Sequence, residues 1–445
     1  MHPAVTLRHC HAVTHQDSRH GVSSRALDNV THAIAGALTA EVLVHVRRRL
    51  DPGANSAPSA ATFERAAWAV SMIAQNLPDA DSLYTGITGG VLGYLLHHRG
   101  HTHTVALAPV IALLSYAIVA GWARLRRHEL TVTDRRWLAG IALLGPFGHV
   151  ALDASNEYGV HPFWPFDSGW LYGDTIFIVE PLFWALAIPP LFAATVSRGG
   201  RVVWGALLAL GLALTWSVGL VPWPSAVATT VLALASIVVA RRASPAMRAT
   251  FALLSSLVVV AVFATASAAA STNVRRALAE AHPEWETIDV SRSPLPATPL
   301  CWQVVVVQRS RDGERWALRN AEVSAWPSLV SAASCMRGPL VTTARLAAGD
   351  VREQGVVVRG SLETPVAELR ERSKRCDVAA YLRWSRAPFF ASIVAGDGAF
   401  VTGDLRYDRS PDIEFAELRM PAVVEQCPRW VPPWRPPRSD LLAPP

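Results

Sequence analysis

Long apolar segments separated by short polar loops occupy the chain up to about residue 270, and this pattern predicts a bundle of membrane helices. A helix needs about 20 apolar residues to cross a bilayer. We therefore expect about eight spans, some short or kinked, at 32–46, 66–77, 105–123, 137–152, 175–196, 202–220, 225–240 and 250–270. Segment 83–96 is apolar but short and rich in glycine, which predicts a buried or re-entrant helix.

After about residue 270 the spacing of the apolar residues changes. Apolar and polar residues alternate there with a period of two, in segments separated by Gly and Asp turns, which is typical of β-strands. We expect strands at 302–310, 315–326, 377–385, 391–408 and 415–420. The fold class is therefore an all-α polytopic membrane domain followed by a small β-rich soluble domain.

These patterns divide the chain into four parts. The predicted order is a flexible His-rich tail (1–27), a metal-site membrane domain (28–196), additional transmembrane helices (197–270) and an exported β-rich domain with a Pro-rich tail (271–445).

Composition supports the membrane interpretation. Of 445 residues, 51% are hydrophobic and only 17% are charged, with a net charge of +6. A soluble protein carries about 25% charged residues. The arginines lie in short loops between apolar segments, where they orient helices, so the positive charge does not indicate nucleic-acid binding.

The arginine clusters predict the orientation of the helices. They follow or precede alternate spans, at 47–49, 124–136, 198–201 and 241–248. If each cluster is cytoplasmic, both chain ends lie outside the cytoplasm. We expect a multi-pass protein of the bacterial inner membrane, with the C-terminal domain on the outer side.

Cysteine usage agrees with that orientation. Cys301, Cys335, Cys376 and Cys427 all lie in the C-terminal region. Four cysteines in an exported domain predict two disulfides, with three possible pairings. In a cytosolic domain they would be buried thiols.

Histidine and aspartate recur where the predicted spans meet the outer face. The candidate metal ligands are His32, Asp79, Asp81, His98, His103, His149 and Asp153. Imidazole nitrogen and carboxylate oxygen are the donors of Zn²⁺, Mn²⁺ and Fe²⁺ sites. Ionisable groups beside apolar spans are costly, which favours a functional role. A divalent ion, with Zn²⁺ preferred, is the predicted cofactor.

The candidates have different expected roles. Asp153 and Asp81 are predicted to handle protons in catalysis, while Asp28, Arg99, His101 and Asp174 are predicted to orient the ligands. Each motif also has a simpler interpretation. His149 and Asp153, four residues apart, could only hydrogen-bond on one helix face, and one of Asp79 and Asp81 could cap a helix.

With these residues in view, the chain resembles the YdjM family of bacterial membrane proteins, predicted to be metal-dependent hydrolases. The matching motifs are DNVTHAIAGAL (28–38), LPDADSL (77–83), HRGHTHT (98–104), GHVALDASNEYG (148–159) and HPFWPF followed by DTIFIVEPLFW (161–184). Thr104 stands where serine is common, and Glu180 where aspartate is common. The resemblance implies a metal site more firmly than it implies a reaction.

Two functions are open at this stage. The first is a metal-dependent hydrolase at the non-cytoplasmic membrane face, acting on phosphoester or lipid-linked substrates. The second is a non-catalytic membrane protein with a structural metal and a partner-binding C-terminal domain. A metal carrier fits less well, because the ligands cluster at one face rather than at the bilayer midplane. The lipid bilayer is the only partner that the sequence predicts.

Overall fold

A computed structural model of the chain describes residues 19–55, 59–85, 87–336, 338–392 and 398–443. Residues 1–18 of the predicted His-rich tail lie outside this part, and the first helix begins at Arg19.

The N-terminal region is helical. Its helices are α1 (Arg19–Leu50), α2 (Ala60–Asn76), α3 (Ser82–Thr85), α4 (Gly90–His97), α5 (Ala108–Leu125), α6 (Val132–Ala154), α7 (Pro181–Ala194), α8 (Arg198–Ser217), α9 (Trp223–Arg242) and α10 (Pro245–Ala281). Two 3₁₀-helices, Leu77–Asp81 and His101–His103, separate some of them.

Five of the described helices are long and apolar enough to cross a membrane: α5, α6, α8, α9 and α10. The expected count of eight is not confirmed. Helix α7 is apolar but has only 14 residues. Helix α2 has 17 residues and carries Glu64 and Arg65, while α1 carries Glu41 and His45 and has three arginines in its last turn. The charges in α1 and α2 lower their hydropathy below that of a simple span.

Local sequence explains where several helices begin. The Thr131 side chain accepts from the backbone N–H of Asp134 at the start of α6, and Asp134 accepts from the N–H of Thr131. Ser197 and Ser244 cap α8 and α10 in the same manner. These side chains satisfy backbone donors that have no partner inside the helix.

Close packing of α2 against two neighbours brings the helix ends together. A Cβ on Gly36 of α1 would lie 2.9 Å from the Cα of Met72, and one on Gly145 of α6 would lie 2.3 Å from the Cβ of Ala74. Only glycine permits this approach. The ends of α1, α2 and α6 that carry the His and Asp motifs are thus held side by side.

The C-terminal region contains two antiparallel sheets. The first has the order β1 (Trp285–Leu295), β2 (Thr298–Ser310), β3 (Arg315–Ser324), β5 (Val356–Pro365), β4 (Ala347–Ala348), and the second has the order β6 (Pro388–Ser392), β7 (Phe400–Asp404), β8 (Leu418–Met420). Helix α10 continues unbroken past residue 270, and Phe263, Ala270 and Val274 pack against Trp302 and Val304 of the first sheet. The β-rich prediction is confirmed.

One predicted strand is wrong. Segment 377–385 contains helix α13 (Cys376–Tyr381), and α11 (Ala332–Cys335), α12 (Val366–Arg372) and α14 (Ser439–Leu442) are the other helices described in this region. Val378, Tyr381 and Leu382 are all buried. Their spacing of three and four residues places them on one helix face, so the apolar residues of this segment follow the period of a helix and not that of a strand.

Two disulfides join Cys301 to Cys335 and Cys376 to Cys427. The structure thereby selects one of the three pairings that the sequence left open. The short segment 83–96 forms α3 and α4 (residue 86 is not described), and Tyr94, Leu95 and Leu96 of α4 pack into the core of the C-terminal region. This contact places the histidine loop that follows α4 directly beneath the C-terminal domain.

Candidate metal centre

Four side chains from three elements (the two 3₁₀-helices and α6) converge on one buried point, and we call them the His–Asp centre: Asp79, His103, His149 and Asp153. His103 Nε2 lies 2.9 Å from His149 Nε2, 3.2 Å from Asp79 Oδ1 and 3.1 Å from Asp153 Oδ2. His149 Nε2 lies 3.5 Å from the same Asp79 oxygen and 3.2 Å from the same Asp153 oxygen. These residues are far apart in the sequence, so it is the tertiary fold that brings them together.

The spacing of these atoms suits a tetrahedral metal ion. Ligands about 2.0–2.1 Å from zinc lie about 3.3 Å from one another in a tetrahedron. Asp153 Oδ2 is buried and has no hydrogen-bond partner among the described residues. Two imidazole nitrogens at 2.9 Å repel unless a proton or a cation lies between them. The donor set therefore fits a divalent cation.

Neighbouring groups orient both imidazoles. His149 Nδ1 lies 2.6 Å from the backbone carbonyl of Gln75, which leaves Nε2 directed at the centre. His103 Nδ1 faces Thr102 and, at 3.4 Å, Asp81 Oδ2. Metal-binding histidines are commonly held in this way by a carbonyl or a carboxylate.

Asp81 holds several groups at once. Its carboxylate accepts from Thr102 and from the backbone N–H of Arg99, and it lies 3.0 Å from His98 Nδ1. Asp79, Asp81 and His98 also form a second possible ligand group. The hydrogen-bond pattern nevertheless places Asp81 behind His103 and His98 rather than at the His–Asp centre.

Negative charge is in excess around the centre. Asp28, Asp79, Asp81 and Asp153 are all buried. Among the residues that the structure describes, the guanidinium paired with them belongs to Arg99, whose Nη2 lies 2.9 Å from Asp28 Oδ2 and 3.1 Å from Asp153 Oδ1. Buried carboxylates are costly without compensating charge. One arginine cannot offset four of them, so the site favours further positive charge, which a bound cation or a protonated histidine can supply.

The same charges act on the ionisation of the loop residues. Burial raises the pKa of Asp79, but His149 and His103 outweigh it and hold that pKa well below its ordinary value. Burial lowers the pKa of His103, yet Asp153 and Asp79 raise it above its ordinary value. A metal that binds His103 must therefore displace a proton, so its affinity depends on pH.

His32 lies at the edge of the centre. Its ring stacks on His149 with centroids 3.8 Å apart, and its Nε2 is 3.3 Å from Asp153 Oδ1 and 3.6 Å from Asp28 Oδ1. Neither ring nitrogen has a hydrogen-bond partner among the described residues. Asp28, His32 and Asp79 form a third possible ligand group, although Arg99 already occupies the space beside Asp28.

Other histidines of the loop face away from the centre. His97 Nε2 lies 2.8 Å from the carbonyl of Trp430, and His101 packs against Trp164 and Trp434. Burial lowers the pKa of His101. Asp174 is also remote, because it pairs with Arg386 of the C-terminal domain at 2.8 Å.

Three residues that the sequence did not single out support the site. Gln75 orients His149, and the Asn156 side chain accepts from Arg99 at 2.8 Å. Trp434 of the Pro-rich tail donates to the carbonyl of Leu96, just before the histidine loop. Arg99 itself has φ +61°, a left-handed conformation that costs energy and is common at functional sites. The motif GHVALDASNEYG offered a signal for Asn156 alone.

The centre adjoins a cavity of about 530 Å³. Asp28, Asp79, His98 and Arg99 lie in its wall, whereas His103, His149 and Asp153 lie behind them. A metal at the centre would therefore be reached from the side of Asp79.

Comparison with known proteins identifies part of the chain. Residues 27–223 match the YdjM inner membrane protein family, which confirms the resemblance inferred from the motifs. No curated protein and no solved structure matches the chain. The matched residues include the whole His–Asp centre and end before the C-terminal domain.

Proposed function

We propose that this protein is a membrane-bound, metal-dependent hydrolase whose catalytic ion is held by Asp79, His103, His149 and Asp153. The observation that carries the proposal is the meeting of four donor atoms beside a cavity, with each histidine nitrogen 2.9 to 3.5 Å from the other three donors. The match to an inner membrane protein family supports the location. Phosphoester or lipid-linked molecules at the non-cytoplasmic face are the proposed substrates.

The donor set favours catalysis over a purely structural ion. Structural zinc sites are commonly built from cysteine, alone or with histidine, whereas catalytic sites use histidine and carboxylate. A catalytic zinc can expand to five ligands, so a water can still bind beside these four. When bound, the ion would lower the pKa of a water and polarise the bond that is attacked. Zinc is the preferred ion for this donor set, with manganese and iron as alternatives.

The residues of the chain have distinct roles in this proposal. Asp153 balances the charge of the ion and can accept a proton. His98 lies in the cavity wall, and Asp81 holds its Nδ1 at 3.0 Å. That bond leaves Nε2 as the nitrogen able to hold or transfer a proton at the substrate. Arg99 pairs with Oδ1 of Asp153, the oxygen that does not face the histidines, and so holds the orientation of the Asp153 carboxylate.

A structural ion is the second candidate. It is favoured by the number of protein ligands, since four would complete a tetrahedron with no open position. In that case the C-terminal domain would bind a partner. The two candidates differ in what happens when a ligand loses its charge, because a structural ion contributes to folding itself.

The deciding experiment uses Asp153→Asn in the full-length protein, purified in detergent. Metal content is measured by mass spectrometry, folding by thermal unfolding, and hydrolysis with phosphoester and lipid substrates. A catalytic site predicts a folded variant whose metal affinity or hydrolysis falls by orders of magnitude. A structural site predicts misfolding or degradation.

The matched control is Asp167→Asn, because Asp167 is half exposed and pairs with Arg435 at the surface. It should behave as the wild type in all three measurements. If Asp153→Asn folds, binds metal normally and keeps every activity, neither role holds.

A further inference from the structure

The cavity beside the His–Asp centre is walled by both regions of the molecule. The membrane region contributes the acidic end, with Asp79 and His98, and a long apolar wall. The C-terminal domain contributes Tyr407, Arg409 and Phe415. These three residues lie outside the segment 27–223 that matches the family, so the family resemblance assigns them no role.

The apolar wall continues into the membrane. Leu214 and Val218 lie at the end of α8, and Leu220 and Val221 follow in the loop before α9. Only 11% of the apolar stretch of α8 is buried inside the protein, so most of this helix is free to face lipid. A hydrocarbon chain could pass from the bilayer to this wall without crossing water.

Two tryptophans locate the wall near the bilayer surface. Trp216 at the end of α8 and Trp223 at the start of α9 are 54% and 75% exposed. Tryptophan concentrates at membrane–water interfaces, where its ring meets both phases. The cavity mouth therefore lies where lipid headgroups are found.

The two arginines of the cavity wall differ in whether a carboxylate is paired with the guanidinium. Arg99 is buried and already paired with Asp28 and Asp153. Arg409 is exposed and makes no hydrogen bond or ion pair within 4 Å to the described residues. A guanidinium is well suited to bind phosphate oxygens. Arg409 acts electrostatically on the carboxyl group of Glu157, which also lies in the cavity wall, but among the described residues no direct bond joins the two. Its guanidinium therefore remains available to a ligand in the space beside the apolar wall.

We propose that the cavity binds a membrane lipid with an anionic headgroup, and that Arg409 of the C-terminal domain selects that headgroup. The lipid chain lies along Leu214 and Val218, and the headgroup lies between Arg409 and the His–Asp centre. The inference rests on the proposed function in that this lipid would be the substrate of the centre. The C-terminal domain then acts as the specificity-determining wall of the site.

Binding is tested separately from hydrolysis. Full-length protein in detergent, treated with a chelator, is titrated with phosphatidylglycerol, phosphatidylcholine and glycerol phosphate, and affinity is measured by native mass spectrometry. We expect phosphatidylglycerol to bind at least about tenfold more tightly than the zwitterionic lipid or the chain-free phosphate. Both lipids carry a phosphate that Arg409 can contact, but the choline of phosphatidylcholine adds a positive charge beside the guanidinium, whereas the headgroup of phosphatidylglycerol keeps a net negative charge.

Two variants address the two halves of the cavity. Arg409→Gln should weaken phosphatidylglycerol binding about tenfold and change phosphatidylcholine binding much less, whereas the exposed Arg345→Gln should have no effect. Val218→Trp should weaken both lipids by filling the wall. Val231→Trp, on the lipid-facing side of α9 and 57% exposed, is its control.

The outcomes separate this inference from the proposed function. Equal binding of the two lipids, or wild-type affinity in Arg409→Gln, overturns the inference even if a soluble phosphoester is hydrolysed. Selective binding of phosphatidylglycerol without hydrolysis of any substrate supports the lipid site and counts against the hydrolase.

Discussion

Two buried clusters of charge in this molecule have opposite balances. Around the His–Asp centre, Asp28, Asp79, Asp81 and Asp153 share the single guanidinium of Arg99. Where the membrane region meets the C-terminal domain, a second group, the junction cluster, contains Asp174, Asp289 and Asp404 with Arg386, Arg406 and Arg438. Most of these side chains are buried in both clusters, although Asp289 is partly exposed, and the clearest difference between the clusters is the number of arginines.

The contacts of the junction cluster are those of a self-sufficient network. Arg386 donates to Asp174 and Asp289 at 2.8 Å, and Arg406 binds both oxygens of Asp404. Arg386 and Arg438 hold the pKa of Asp289 below its ordinary value, although burial alone would raise it. Every carboxylate has a guanidinium, and no further cation is needed. A buried carboxylate excess, by contrast, indicates a site that an ion completes.

The largest effect is expected from removing a ligand of the His–Asp centre. His149→Ala should lower metal affinity by more than about 100-fold, because loss of a ligand exceeds the 10–100-fold cost of losing a supporting group. Metal titration of the purified variant measures the change.

His128→Ala is the control for that variant. His128 lies in the loop that joins the opposite ends of α5 and α6, and it contacts Trp122. Its loss should leave metal binding unchanged. Equal metal affinity in His149→Ala and the wild type would remove the centre as the binding site.

A change in the junction cluster should affect stability alone. Arg386→Gln removes the guanidinium that Asp174 and Asp289 share, so of the arginines that the structure describes Asp174 keeps only Arg292 at 3.5 Å and Asp289 keeps only Arg438 at 3.0 Å. Breaking a buried pair costs about 3–5 kcal/mol. Thermal unfolding should detect the loss, while the metal content per folded molecule stays that of the wild type. Loss of metal from folded Arg386→Gln would show that the two clusters are not independent.

A smaller effect is expected from a residue that orients the ligands. Asp81→Asn keeps the shape of the side chain but weakens the hold on His98 and His103. Metal affinity or hydrolysis should fall about 10–100-fold, with little loss of folded protein. A loss as large as that of His149→Ala would instead make Asp81 a direct ligand.

The smallest predicted effect concerns Glu157, which lies between the two clusters. Burial raises its pKa to about 7, although Arg409 and Arg406 partly offset the shift. Because the folded pKa is raised, its contribution to stability is complete below its unfolded pKa and is lost as pH rises through 7. Glu157→Gln should therefore flatten the decline of the melting temperature between pH 5 and 8. Parallel curves for the two proteins would contradict the shift.

The sequence alone determined the class of the molecule and predicted a chemistry for its site. Apolar length predicted membrane helices, and period-two alternation predicted the β-rich region. The donor types in LPDADSL, HRGHTHT and GHVALD predicted a metal site. These features are local, because a helix or a ligand type is specified within a few neighbouring residues. Span number was predicted less well, since charges in α1 and α2 offset their apolar residues.

Tertiary structure decided which candidates meet. His103, His149, Asp79 and Asp153 converge, while His97 and His101 turn toward the tail, and Asp174 binds Arg386. Residue type could not separate these histidines, because their partners lie up to 333 positions away in the chain. The position of Arg409 in the cavity wall likewise depends on contacts between residues that are far apart in the chain. Only packing of the C-terminal domain on the membrane region brings it beside the centre.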